Sequence, residues 1–248
     1  MSLADRRARL ADGLAMTRAR IDAACRTAGR EPGEVSLLPV TKFFPASDIA
    51  LLAELGCTDF GENREQEAAG KAAELGEIRK AAELAELRWH MLGHIQRNKA
   101  RSVARWASLV HSLDSARLAT ALDGAVTAGR DAGVRSTPLA VLLQVSLDGD
   151  PARGGVTVPD LPALADQVED SDGLELRGVM GVPPRDWEPA AAFERLAAVW
   201  ADVRQRHPGA TVFSAGMSGD LEAAIEFGST CVRVGTAILG TRPVISQP

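Results

Sequence analysis

"VSLLPVTKFFPASDIALLAELG", residues 35–56, reads as a strand that feeds directly into a helix. Its first part is a short apolar run. Its second part carries apolar residues at helical spacing behind a helix-start proline, Pro45, and stops on Gly56. The turn between them, "TKFFPAS" (41–47), contains no glycine. An open, doubly wound sheet usually places a glycine-rich phosphate loop after its first strand. Its absence here favours the other strand–helix architecture, the (β/α)₈ barrel.

The rest of the chain repeats the same alternation. Strand-type runs follow at 58–63, 87–94, 108–114, 138–148, 174–182, 211–217 and 230–239, making eight with 35–42. Ala/Leu/Glu/Arg segments such as "AAFERLAAVWADVRQRHPG" separate them. Eight strand–helix units in this length are the count of a barrel. A helix at 3–29, with apolar positions at Leu10, Leu14, Ile21 and Cys25, precedes the first strand. The expected organisation is therefore one α/β domain over residues 1–248, a (β/α)₈ barrel at about 35–240 with an extra N-terminal helix.

Composition excludes several classes. A net charge of −5, with arginines interspersed among acids, gives no nucleic-acid footprint. No apolar run is long enough to span a bilayer and the N-terminus lacks an apolar signal core, so no membrane partner and a cytoplasmic location are expected. Cys25, Cys57 and Cys231 are odd in number and lack metal-ligand spacing, which suits buried, reduced thiols. The chain has no tyrosine.

Lysine is scarce. It occurs at Lys42, Lys71, Lys80 and Lys99, and arginine fills the other basic positions. Lys71 and Lys80 lie in an Ala/Glu/Leu-rich segment that reads as a solvated helix, and Lys99 heads another. Lys42 alone ends an apolar run. A desolvated lysine becomes a neutral amine able to form a Schiff base with a carbonyl, which arginine cannot do. A lysine that snorkels out from a strand end is the other reading.

Barrel chemistry sits at the C-terminal ends of the strands. Those ends carry Lys42, Glu62, Asn63, His90, His94, Asp114, Gln144, Ser146, Met180, Ser214, Ser218, Arg233, Gly235 and Thr236. Residues two apart on a strand share a side, so Val40 and Lys42 point one way, as do Arg233 and Gly235. The first and last strands are neighbours in a closed barrel, which brings Lys42 and Arg233 to one pocket. The segments after the seventh strand and at the end of the eighth are where such barrels bind phosphate. Ser218 there is either an N-cap for a helix beginning near Gly219 or, with Gly235 and Thr236, part of an anion site. The His90–His94 pair has a glycine between its members and no third ligand nearby, so no metal is expected. A Schiff-base lysine beside a phosphate site fits an aldolase acting on a sugar phosphate or a pyridoxal phosphate protein.

"LLPVTKFFPASDI" (37–49), "FGEN" (60–63), "WHMLGHIQRNK" (89–99), "LRGVMGVPP" (176–184) and "GMSGDLEAAIEFGSTCVRVGTAILG" (216–240) together resemble the pyridoxal 5′-phosphate homeostasis proteins, also called proline-synthase co-transcribed proteins. The resemblance implies a barrel of the alanine-racemase type in which Lys42 holds pyridoxal 5′-phosphate as an internal aldimine. It further implies that Arg233 bonds the pyridine nitrogen and that Ser218, Gly235 and Thr236 hold the phosphate. Asn63, His90, Met180, Ser214 and Met217 complete the cofactor-binding set. The chain departs from the family pattern at Phe44, where a second lysine is common, at Arg64 in place of a tyrosine, and at His94 in place of a proline.

Racemases of this barrel type use a lysine and a tyrosine as opposing bases and carry a second β-domain. A chain without tyrosine, whose barrel finishes near residue 240, is not expected to work that way. An arginine at the pyridine nitrogen can only donate, which makes the cofactor a weaker electron sink. The expectation is a non-catalytic carrier that contributes to vitamin B6 and amino-acid homeostasis. Its partners would be pyridoxal phosphate and apo-enzymes that use it, and its assembly a monomer or weak dimer. A weak racemase or lyase is the alternative. A Schiff-base aldolase is disfavoured, because no second proton-transfer lysine is marked.

Overall fold

The structure, a computed structural model, describes residues 2–81 and 86–241. The strands are β1 (Ser36–Pro39), β2 (Asp59–Glu62), β3 (Arg88–Met91), β4 (Leu109–Leu113), β5 (Leu139–Ser146), β6 (Val156–Thr157), β7 (Leu174–Gly181), β8 (Val212–Ser214) and β9 (Cys231–Val234). The α-helices are α1 (Leu3–Thr27), α2 (Ala46–Glu54), α3 (Glu65–Ala81), α4 (Ala100–Trp106), α5 (Ala116–Asp131), α6 (Leu161–Glu169), α7 (Pro189–Arg206), α8 (Leu221–Glu226) and α9 (Thr236–Leu239).

Every strand pairing is parallel, in the order β1-β9-β8-β7-β5-β4-β3-β2. A Val40–Gly61 bridge and the Thr41 N–H bond to the Gly61 carbonyl at 2.9 Å join β1 to β2 and close the circle. The eight expected strands are all present, each somewhat shorter than its apolar run. The two-residue β6 is an addition, paired outside the barrel to the end of β5. The run at 230–239 is corrected: β9 ends at Val234, and Thr236–Leu239 is a helical turn whose Ile238 and Leu239 N–H groups bond back to the Gly235 carbonyl.

Helix α1 begins with a capping box, in which Ser2 and Asp5 bond each other's backbone N–H. Leu10, Leu14, Ile21 and Cys25 are buried where the helix packs on α2, α8 and α9. Arg6 ties it down through a two-pronged bond to Asp48 on α2 (2.9 and 2.6 Å) and a third to the Leu239 carbonyl. Apolar side chains fill the layer between barrel and helices. One cluster spans β3–β8 with α4–α7, and a second joins α1, α2 and α8 to β1, β2 and β9.

Candidate functional site

A cavity of about 790 Å³ opens at the C-terminal ends of the strands. Lys42, Asn63, Met180, Met217, Ser218, Arg233, Gly235 and Thr236 all line it, while His90 and Ser214 do not. Its further walls are Val40, His94, Asp114 and Gln144 from strand ends, and Pro151–Gly154 from the segment after β5.

Lys42 is half-buried and extends from the turn after β1. The turn is strained at Phe43, a non-glycine residue at φ = +70°. The Phe43 ring has two cations near it, with the Lys42 ammonium 6.0 Å and the Arg64 guanidinium 5.1 Å from its centroid. Among the described residues Lys42 makes no ion pair. Lys71 pairs with Glu62 and Glu67, and Lys99 with Glu65. The side chain of Lys80 lies outside the described residues.

Lys71 is not solvated, contrary to the expectation from its segment. It is 7% exposed, and its Nζ donates to Glu62 Oε1 (2.9 Å), Glu67 Oε1 (2.7 Å) and the Thr41 carbonyl (3.0 Å). Glu67 Oε1 also accepts the Phe43 N–H at 2.8 Å, and Glu62 Oε1 accepts the Thr41 hydroxyl at 2.6 Å. Both chain neighbours of Lys42 are thus fixed by one buried cluster outside the barrel. Burial pushes the Glu62 carboxyl up from its ordinary range despite the bonds from Lys71 and Thr41. The spacing of Glu67 and Lys71, four apart on a helix, was the available signal.

The ends of β8 and β9, next to β1 around the mouth, are rich in backbone donors. The N–H groups of Gly219 and Gly235 have no acceptor among the described residues. A side chain at Gly235 would bring its Cβ to 3.1 Å from the Val40 carbonyl, so glycine lets β9 end close against β1. Ser218 is not the cap of the following helix. That helix starts at Leu221, with Asp220 at its N-cap position and the Asp220 carboxylate accepting the Met217 N–H at 2.6 Å. The Ser218 hydroxyl is left to the cavity. At the other rim, a Cβ on Gly93 would fall 2.0 Å from the Asn63 carbonyl, so only glycine lets β3 end close against Asn63.

Arg233 forms part of the cavity floor. It is 6% exposed and donates from Nη1 to the Ser214 hydroxyl (2.7 Å) and from Nη2 to the Gly181 carbonyl (3.0 Å). Burial lowers its pKa, but a guanidinium remains charged at neutral pH. Three of its five N–H groups have no partner among the described residues.

Sequence reasoning missed the far wall. Arg153 bridges Asp148 (2.6 Å) and the carbonyls of Val182 (2.9 Å) and Pro183 (2.7 Å), and Gln144 Nε2 donates to the Arg153 carbonyl (3.0 Å). These bonds fold the glycine-containing stretch 149–155 over the cavity edge; in sequence it reads only as a connection. His94 and Asp114 face each other at 3.3 Å. Among the described residues no group of three His, Cys, Asp or Glu side chains is placed to hold a metal ion.

The arrangement offers an unpaired amine, a group of anion-ready N–H donors and a buried cation around one cavity. The family model for the alanine racemase N-terminal domain matches residues 14–243. A pyridoxal phosphate homeostasis protein of Mycobacterium tuberculosis is 54% identical over 244 residues, covering 96% of this chain and 95% of that protein. The structure of PipY from Synechococcus elongatus with PLP bound superposes with a TM-score of 0.76 at 33% identity, over 93% of this chain and 100% of that one. An alanine racemase from Corynebacterium glutamicum shares the fold, with a TM-score of 0.63 at 16% identity, over 96% of this chain and 63% of that one. With its motifs, its closed parallel barrel and these likenesses, the chain belongs to the pyridoxal phosphate homeostasis protein family, within the alanine racemase N-terminal domain fold.

Proposed function

We propose that this protein binds pyridoxal 5′-phosphate at the cavity, holding it through Lys42, and serves as a non-catalytic carrier in vitamin B6 and amino-acid homeostasis. The observation that carries the reading is that Lys42, without an ion pair among the described residues, lines one cavity with Arg233, Ser218, Gly235 and Thr236. The relatives named for pyridoxal phosphate homeostasis and the PLP-bound PipY structure support the same ligand.

The site's residues fit the group. The amine of Lys42 meets the aldehyde carbon as a Schiff base, and the N–H groups of Gly219 and Gly235 with the hydroxyls of Ser218 and Thr236 receive the phosphate. An unspent N–H of Arg233 donates to the ring nitrogen. When bound, pyridoxal phosphate supplies an electron sink for amino-acid chemistry. Arg233 keeps the ring nitrogen unprotonated and so weakens that sink. No tyrosine exists in the chain to act as an opposing base, and losing a positioned acid or base costs about 10²–10⁴ in rate. The open mouth lets small amines reach Lys42 and take the cofactor away.

The proposed location is the cytoplasm, where the three buried, unpaired thiols stay reduced. Among the described residues no helix is long and apolar enough to cross a membrane. The test is to incubate the cofactor-loaded protein with each proteinogenic amino acid in deuterated water, and separately with an apo-enzyme that needs pyridoxal phosphate. Activation of the apo-enzyme without Cα deuterium uptake supports the carrier. Rapid Lys42-dependent exchange or racemisation of one amino acid overturns it.

A further inference from the structure

Beneath the cavity, a line of polar side chains crosses the barrel interior. Arg233 Nη1 donates to Ser214 Oγ at 2.7 Å, and Ser214 Oγ lies 3.0 Å from His111 Nδ1. His111 Nε2 is 3.0 Å from His90 Nδ1, and His90 Nε2 is 3.0 Å from Asp59 Oδ1. The line uses β9, β8, β4, β3 and β2 and ends where Asp59 meets the exposed Arg88 at the N-terminal mouth. His111 and Ser214 are wholly buried.

The chemistry of the two ends fixes every proton between them. A guanidinium can only donate and a carboxylate can only accept. Among the described residues no carboxylate lies within ion-pair distance of Arg233, on which Asp220 acts only from further off, and a buried charge without a counter-charge in contact is costly. A single-file arrangement compensates it without adding a second buried cation. Arg233 donates to Ser214, the Ser214 hydroxyl to His111 Nδ1, His111 Nε2–H to His90 Nδ1, and His90 Nε2–H to Asp59. Each bond polarises the next in the same sense. The reverse order would need a doubly protonated His90 beside His111, with Arg233 beyond it, and would turn the Ser214 hydroxyl away toward Cys231.

We infer that Asp59, His90, His111 and Ser214 form a one-way donor chain that links Arg233 by hydrogen bonds to Asp59 as a distant counter-charge and positions its guanidinium for the cofactor ring. These are positioning residues, and their link to the ring rests on the reading of Arg233 above. Two electrostatic features agree with this order. Burial, then His90 and Arg233, push the His111 imidazole well below its ordinary pKa and keep it neutral. Burial acts to raise Asp59, yet its bonds from His90, Arg88 and Thr58 outweigh that and hold it well below the usual carboxylate range.

The test begins with the full chain, free of cofactor and labelled with ¹⁵N-histidine. The four histidines can be assigned one at a time by His→Gln replacement. His90 and His111 are expected as neutral Nε2–H tautomers; an Nδ1–H tautomer or a doubly protonated ring at either position overturns the chain. In Asp59→Asn, whose amide can accept or donate, His90 should show both tautomers, and an unchanged His90 contradicts Asp59 as the anchor. With cofactor, Ser214→Ala should bind pyridoxal 5′-phosphate about tenfold more weakly or worse, as expected for losing a hydrogen bond to a charged group. Ser214→Thr should restore binding. Equal affinity in wild type and Ser214→Ala refutes the positioning role. The tautomers are read without cofactor, so their failure is distinct from failure of the Lys42 reading.

Discussion

The Lys71 ammonium lies 3.0 Å from the carbonyl oxygen of Thr41, the residue immediately before Lys42. One lysine therefore holds the peptide that carries the other. The first is immobilised by two carboxylates behind the barrel wall, and the second is left unpaired at the cavity.

Removing Lys71 should strand Glu62, whose carboxylate is wholly buried and whose Oε2 has no partner. Breaking one side of a buried pair costs about 3–5 kcal/mol, so Lys71→Met should lose that much at neutral pH by denaturant unfolding. The folded-state pKa of Glu62 is raised by burial. Its effect on stability is therefore most favourable below the ordinary carboxylate pKa, and stability is lost as pH rises through the folded value. The deficit of Lys71→Met should shrink as pH is lowered into the mildly acidic range. A deficit independent of pH would contradict the account.

Phosphate recognition should dominate affinity at the donor-rich side of the cavity. Charge-assisted hydrogen bonds contribute roughly 1.5–3 kcal/mol each, so pyridoxal should bind at least about tenfold more weakly than its 5′-phosphate. Gly235→Val should weaken binding more than Ser218→Ala, because its side chain would enter the contact with the Val40 carbonyl as well as the donor site. Absorbance titration with both ligands checks this. Equal affinity for pyridoxal and its phosphate would place the phosphate site elsewhere.

Helix α1 should owe its seat to one latch and little to another. Arg6→Ala removes a half-buried, two-pronged bond to Asp48 and the bond to the Leu239 carbonyl. Its expected cost is about 1.5–3 kcal/mol. Arg20→Ala removes a more exposed pair with Glu222 and a bond to the Ser218 carbonyl, for which about 1 kcal/mol is expected. Thermal melting should show a larger drop in Tm for Arg6→Ala, and the reverse order would contradict the assignment.

The barrel was legible because strand and helix alternate with different apolar periods, and the missing glycine at 41–47 removed the main rival architecture. Lys42 stood out because arginine fills most other basic positions. Lys71 did not, since an Ala/Glu/Leu helix gives the same local pattern whether its lysine faces water or a buried carboxylate on a neighbouring strand. Its partner Glu62 is nine residues away in sequence, and only the tertiary fold brings the two together with Thr41. His111 was overlooked inside an apolar run because its meaning depends on Ser214, 103 residues later. The family resemblance puts His90 among the residues lining the cofactor pocket. Its ring instead points down the interior to Asp59 and His111. The Ser218 cap failed by two residues, because Asp220 supplies the turn's hydrogen bond instead.

The central claim is that Lys42 is the residue that holds pyridoxal phosphate. The most direct measurement is to load the protein with pyridoxal 5′-phosphate, reduce it with borohydride, digest it, and locate the pyridoxyl group by mass spectrometry. The account predicts one modified peptide, carrying the adduct on Lys42, and no incorporation in Lys42→Ala. An adduct on Lys71, Lys80 or Lys99, persisting in Lys42→Ala, would contradict it.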